Sequence, residues 1–188
     1  MLLDRDVYEP AEDTYLLIRA LKKLDVKDKD VLEMGTGTGI VAIELAKRGA
    51  NVLAADINPK AVELAKKNAN IENVNIEVIK SDLFENINKK FDIIVFNPPY
   101  LPTVEEDKID SYLNYAFDGG KDGREILDRF IDEVKNYLKE NGRVVIVQSS
   151  LTNLNKTLER FERLGFKTKI LEKEKIPFEE LYVILAEI

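Results

Sequence analysis

Val31-Leu32-Glu33-Met34-Gly35-Thr36-Gly37-Thr38-Gly39 is the stretch on which the reading of this chain turns. A short apolar strand over 31–34 runs into a glycine-rich turn, and Ile40 to Lys47 then carries helical spacing. Glycine supplies the tight turn and lets the backbone come close to a ligand. The spacing is G-x-G-x-G. The dinucleotide pattern G-x-G-x-x-G fails because its third glycine would have to stand at Ile40, and a Walker lysine is missing. Outward from the turn, strands are expected at 51–56, 76–79 and 91–96, the last a continuous apolar run of the kind that parallel sheets bury on both faces. Helices are expected at 10–24, with Pro10 in the first turn, and from Pro59 to about Asn70. Beyond a long polar stretch over 101–122, a helix is expected at 125–138, a strand at 143–148, a helix at 154–164 and two closing strands at 167–172 and 181–186. The last pair has no helix-length segment between its members, so it should be antiparallel. Strand and helix alternate throughout, which implies an α/β fold: a doubly wound, mostly parallel sheet with an antiparallel edge hairpin, in a single domain over 1–188.

Composition narrows the chemistry. The 188 residues include neither Cys nor His, which excludes disulfides, thiolate or imidazole zinc sites, Cys nucleophiles and every Ser-His-Asp arrangement. No metal site is expected. Catalysis has to run on carboxylates, amides, Tyr, Lys or backbone groups. Thirty-five acids against 28 bases give a formal charge of -7, which argues against tight binding to a nucleic-acid backbone, a term that comes from Lys and Arg. No apolar run approaches the roughly 18 residues of a membrane span. The expected location is cytoplasmic.

Ligands of doubly wound sheets bind beyond the carboxyl ends of the strands. Asp56 ends the second strand, 21 residues beyond Gly35, where a carboxylate can accept from two ribose hydroxyls. Ser81-Asp82-Leu83 offers a further carboxylate with an apolar neighbour, suited to an adenine amino group and ring face. Glu33 beside the glycine turn would repel a pyrophosphate, so a phosphate-free, sulfonium-bearing nucleoside is favoured. The plainer alternative is a close strand-to-helix connection, with the acids capping helices.

The fourth strand ends in Asn97-Pro98-Pro99-Tyr100. Two successive prolines carry no N–H and a fixed φ, so Pro98 and Pro99 hold carbonyl acceptors on stiff backbone. A planar NH₂ is a poor nucleophile because its lone pair is delocalised. If the Asn97 side-chain oxygen and the Pro98 carbonyl accept its hydrogens, that lone pair turns toward an electrophilic methyl. Tyr100 would pack on the planar substrate group. The alternative is a turn signal alone, since residues before proline are driven out of helix.

This constellation resembles the class I S-adenosylmethionine-dependent methyltransferases over the whole chain. The resemblance implies a seven-stranded sheet with an antiparallel final strand, with Glu33, Gly35 and Gly37 as methionine-side contacts, Asp56 on the ribose, Asp82 and Leu83 on the adenine, and Asn97 beside the transferred group. Asn97-Pro98-Pro99-Tyr100 resembles the motif of enzymes that methylate planar nitrogen, in adenine or in glutamine. Val7-Tyr8-Glu9-Pro10-Ala11-Glu12-Asp13-Thr14 and Gly119-Gly120-Lys121-Asp122-Gly123-Arg124-Glu125 resemble signature stretches of the HemK-type protein-glutamine methyltransferases, in their short archaeal and eukaryotic branch. That resemblance implies as acceptor the glutamine of a Gly-Gly-Gln loop in a translation release factor, as donor S-adenosylmethionine, and as partner a small zinc-binding activator subunit. Adenine, lysine and a non-catalytic cofactor-binding role are the alternatives. Phe117-Asp118 stands where relatives carry Trp-Ala. Thr14, one turn into its helix, can donate toward the cofactor carboxylate. The segment 119–124 reads either as a flexible lead-in to a helix or as a substrate lid. Glu105, Glu106, Asp107 and Asp110 would favour a basic protein surface over nucleic acid.

Overall fold

The computed structural model describes residues 1–103 and 111–188. In chain order the elements are α1 (Glu12–Leu21), β1 (Asp30–Met34), α2 (Ile40–Lys47), β2 (Asn51–Asp56), α3 (Pro59–Ile71), β3 (Glu77–Lys80), β4 (Phe91–Phe96), α4 (Asn114–Phe117), α5 (Glu125–Val134), β5 (Leu138–Ser149), α6 (Leu154–Arg163), β6 (Lys167–Ile176) and β7 (Glu179–Glu187). The seven strands form one sheet in the order β3-β2-β1-β4-β5-β7-β6. β1 to β5 run parallel to one another, and β7 lies antiparallel between β5 and β6.

Successive strand residues feed opposite faces, as the pleat requires. Val31, Val52, Val95 and Val145 enter a core under α1, α2 and α3, whereas Leu32, Leu53, Ile94 and Val144 enter a second core under α5 and α6. Both faces are therefore covered, and only the ends of the parallel strands are left to take a ligand. The order of the sheet reverses between β1 and β4, so the crevice opens above those two strands.

Several boundaries differ from expectation for local reasons. α1 starts at Glu12 after an extended Ala11, so Pro10 precedes the helix, and the chain leaves it after Leu21 although Leu24 continues the apolar period. Leu138 also sits one helical repeat after Val134, yet it pairs with Phe91 as the first residue of β5, after a single 3₁₀ turn. The hairpin strands are longer than the apolar pattern suggests. Lys173 pairs with Glu180 across the strands, Glu174 meets Arg19 of α1 and Glu172 meets Lys23 just beyond it, so alternating charge extends the ladder. No helix among the described residues is long and apolar enough to cross a membrane.

Candidate active site

Thr14, Glu33, Gly35, Gly37, Asp56, Asp82, Leu83, Asn97, Pro98, Pro99 and Tyr100 all line one cleft of about 1400 Å³ beyond the carboxyl ends of β1 to β4. The glycines divide their work. Gly35 (φ 67) and Gly37 (φ 54) lie in the cleft wall, and a Cβ on Gly35 would press to 3.2 Å from the Phe96 ring. Gly39 (φ 84) instead lets α2 approach α3, where a Cβ would lie 3.0 Å from that of Ala65.

The carboxylates on this side are held by nearby backbone. Glu33 accepts from Thr36 Oγ1 at 2.6 Å and from the Ala42 amide at 3.0 Å. Burial nonetheless pushes its carboxyl up to about 8, so at neutral pH it is mostly protonated until a cation comes beside it. Asp56 accepts from the amides of Gly37 and Asn58, each at 2.9 Å, and burial raises it too. The Ile57 amide also hydrogen-bonds this carboxylate, and the acceptor capacity that is left borders the cleft. Asp82 is more open and meets Arg129 at 3.3 Å, and Leu83 turns into the cleft at φ 45 while its carbonyl accepts from Ser81 Oγ.

Asn97 is held from a distant segment. Its Nδ2 donates to Asp13 Oδ2 at 2.9 Å, which fixes the amide the other way round for Oδ1. Oδ1 is buried and has no hydrogen-bond partner among the described residues. Asp13 itself is buried and accepts on its other oxygen from Tyr8 Oη at 3.0 Å, the Thr14 amide at 2.6 Å and Thr14 Oγ1 at 3.2 Å. The Thr14 hydroxyl thus turns back to Asp13 rather than into the cleft. No described protein group donates to the Pro98 carbonyl, and the peptide bonds before Pro98 and Pro99 are trans. Tyr100 is half-buried. Burial, then the charges of Asp13, Glu179 and Glu12, hold its hydroxyl well above the ordinary tyrosine range. The arrangement offers a planar NH₂ two acceptors, one of them already desolvated, which is costly unless a donor arrives.

The chain matches the family model described as the methyltransferase small domain over residues 10–175. It belongs to that family. A Methanocaldococcus jannaschii protein named "Putative protein N5-glutamine methyltransferase" is 61% identical over 98% of this chain and 93% of its own length. The human protein named methyltransferase HEMK2 is 34% identical over 86% of this chain and 80% of its own length. Among solved structures, a chain of the E. cuniculi Mtq2–Trm112 complex, described as responsible for methylation of the eRF1 translation termination factor, superposes with a TM-score of 0.77. It is 32% identical, over 97% of this chain and 98% of that one. Membership in a methyltransferase family implies S-adenosylmethionine as methyl donor.

In this methyltransferase the segment 119–124 is tied down rather than free. The Glu125 amide donates to the Gly119 carbonyl at 2.8 Å, and the Thr103 amide to that of Gly120 at 3.0 Å. Gly123 (φ 71) packs so closely on the Tyr100 carbonyl that a Cβ has no room. The Arg124 guanidinium is buried, donating to the Thr152 carbonyl, to Asn153 O at 3.1 Å and to Thr157 Oγ1 at 2.9 Å, with Asp128 as ion-pair partner at 2.7 Å. The loop therefore buttresses Tyr100 from behind. Phe117 packs edge-on against Tyr8 at 5.5 Å, and Asp118 accepts from the Gly120 amide, so Phe117-Asp118 fits the loop well. Glu105, Glu106, Asp107 and Asp110 lie outside the described residues.

Asp13 and Tyr8 were not singled out by sequence reasoning, although both stand inside the quoted stretch 7–14. Their spacing reads as an ordinary acidic helix start, and only the fold brings Asp13 to the end of β4. No group of three or more metal-ligating side chains occurs among the described residues.

Proposed function

We propose that this chain, as a single domain over 1–188, methylates the side-chain amide nitrogen of the glutamine in the Gly-Gly-Gln loop of a translation release factor. The observation that carries the proposal is the Asn97 carboxamide in the cleft wall: locked through Nδ2 to Asp13, it leaves a buried Oδ1 without a partner among the described residues, next in sequence to a Pro98 carbonyl to which no described group donates. Those two oxygens would accept the two hydrogens of the substrate amide, turn its lone pair out of conjugation and stabilise the positive charge that develops on nitrogen. Tyr100 and Pro99 would flank the flat amide. When bound, S-adenosylmethionine would supply a sulfonium methyl to that nitrogen with loss of the C–S bond, while the Asn97 and Pro98 oxygens would hold the amide as its proton passes to water.

The residues present suit that donor. Asp56 keeps acceptor capacity for the ribose hydroxyls, Asp82 and Leu83 would take the adenine edge and face, and Gly35 and Gly37 allow close backbone approach on the methionine side. Glu33 would hold the ammonium, and Thr14, whose hydroxyl is turned to Asp13, would have to rotate it to donate to the methionine carboxylate. A small zinc-binding activator subunit belongs to the same proposal; the likeness to the Mtq2–Trm112 complex supports a partner subunit, and a release factor as substrate supports a cytoplasmic location.

The deciding experiment is labelled methyl transfer to a release factor and to the same protein with its Gly-Gly-Gln glutamine replaced. Label confined to the first, at that glutamine by mass spectrometry, is the expected result. Equal labelling of both would sink the assignment and leave lysine as the acceptor to pursue.

A further inference from the structure

The turn between β6 and β7 consists of Pro177 and Phe178 alone. Phe178 lies at φ 72 and is 100% exposed. Both features are unfavourable in the isolated chain. A two-residue turn with proline first and a positive φ second is built for glycine, and a phenyl ring standing in water forgoes the stabilisation of burial. Glycine at this position would relax the backbone and remove the ring together. A strained, fully hydrated aromatic at a hairpin tip is accounted for by a surface that buries it.

The tip belongs to the end of the sheet that carries the cleft. Ser149, the last residue of β5, donates through Oγ to Glu179, and the Glu180 amide donates to Ser150 Oγ at 3.0 Å. Ile176 packs in the same cluster as Leu16, Leu17 and Tyr100. Two further apolar side chains stand out on neighbouring elements: Tyr15, next to Thr14, and Leu151, two residues beyond β5, each 55% exposed. None of the three lines the cleft, but each adjoins a residue at that end of the sheet: Tyr15 follows the cleft residue Thr14, Leu151 follows Ser150, and Phe178 precedes Glu179. Two acids adjoin them: Glu12 opens α1 one turn before Tyr15, and Glu179 directly follows Phe178.

We infer that this surface of Tyr15, Leu151 and Phe178, with the adjoining Glu12 and Glu179, is the docking surface for the folded body of the protein that delivers the glutamine. Phe178 enters an apolar recess of that partner, and lysine or arginine side chains around the recess meet the two acids. The net charge of -7 favours encounter with such a basic face. The inference rests on the protein-substrate reading above and adds the surface by which that substrate is chosen.

Steady-state methyl transfer with the intact release factor, using the chain together with any subunit that co-purifies, compares the parent with Phe178→Gly and Glu12→Gln. Phe178→Gly is expected to keep or raise Tm, because glycine suits the backbone. It should raise KM for the release factor about tenfold to a hundredfold with kcat unchanged. Glu12→Gln should flatten the rise of KM with salt. An unchanged KM in Phe178→Gly, or a fall in kcat alone, overturns the docking surface while leaving the acceptor assignment intact. Parent labelling that persists without the Gly-Gly-Gln glutamine overturns the acceptor assignment instead, and a parent that labels no release factor overturns both.

Discussion

In the cofactor half of the cleft, Glu33, Gly37 and Asp56 are held by residues 2 to 19 positions away, mostly by amides of the turn that presents them. In the acceptor half, Asn97 is held by Asp13 across 84 positions, and Tyr100 is backed by Gly123 and the Arg124 anchor. The first half can be assembled by a short segment folding on itself. The second exists only once α1, β4 and the segment before α5 have come together. A defect should therefore spread differently in the two halves: confined to donor binding in one, propagated into turnover in the other.

Removing the acceptor itself is the severest way to break the contrast. Asn97→Ala should lower kcat about 10²- to 10³-fold, the effect of deleting one preorganised charge-stabilising group. Calorimetric affinity for S-adenosylmethionine should move by less than about fivefold. If donor affinity collapses while kcat at saturation holds, the two halves are not separable at Asn97.

Asp13→Ala tests propagation. It leaves Tyr8 Oη, the Thr14 hydroxyl and Asn97 Nδ2 without their acceptor, a loss of roughly 2–3 kcal/mol by denaturant unfolding. With its amide free to rotate, Asn97 should sustain a kcat about 10- to 100-fold lower, at unchanged donor affinity. A variant that is destabilised yet turns over at the parent rate would show that Asp13 supports the fold and nothing more.

The same contrast explains what could be read in the sequence. The succession of strands and helices, the glycine turn and the carboxylates at strand ends follow from local rules of period, turn chemistry and topology. Every candidate residue read that way lies in the cleft wall. Asp13 escaped because its local pattern, an acid in the first turn of a helix, has an adequate local explanation in the helix dipole. Gly123 and Arg124 were visible as a motif but not as a buttress, since their partners Tyr100 and Thr157 are remote in sequence. The ends of α1 and α5 were misplaced because Leu24 and Leu138 keep the helical period after the backbone has left the helix. Periodicity reports which side chains are buried, not the conformation that buries them.

The mildest test sharpens the cofactor half. The folded chain holds Glu33 protonated up to about 8, whereas the unfolded chain ionises it near 4.5, so the folded state binds the extra proton between those values. Stability conferred by the protonated carboxyl is complete below about 4.5 and is lost as pH rises toward 8. Glu33→Gln keeps an oxygen for Thr36 Oγ1 and the Ala42 amide but carries no charge to bury. It should match the parent in acid and exceed it by a few kcal/mol at pH 8. Donor binding should behave oppositely. If the methionine ammonium calls out the Glu33 charge, the parent releases a proton on binding at pH 7, and its affinity climbs with pH to about 8 and then levels. The variant should bind about tenfold more weakly at pH 8, with a flatter pH dependence and less proton release in buffers of different ionisation enthalpy. Identical proton release from the two proteins would mean that the ammonium lies elsewhere, and that burial of Glu33 serves the glycine turn alone.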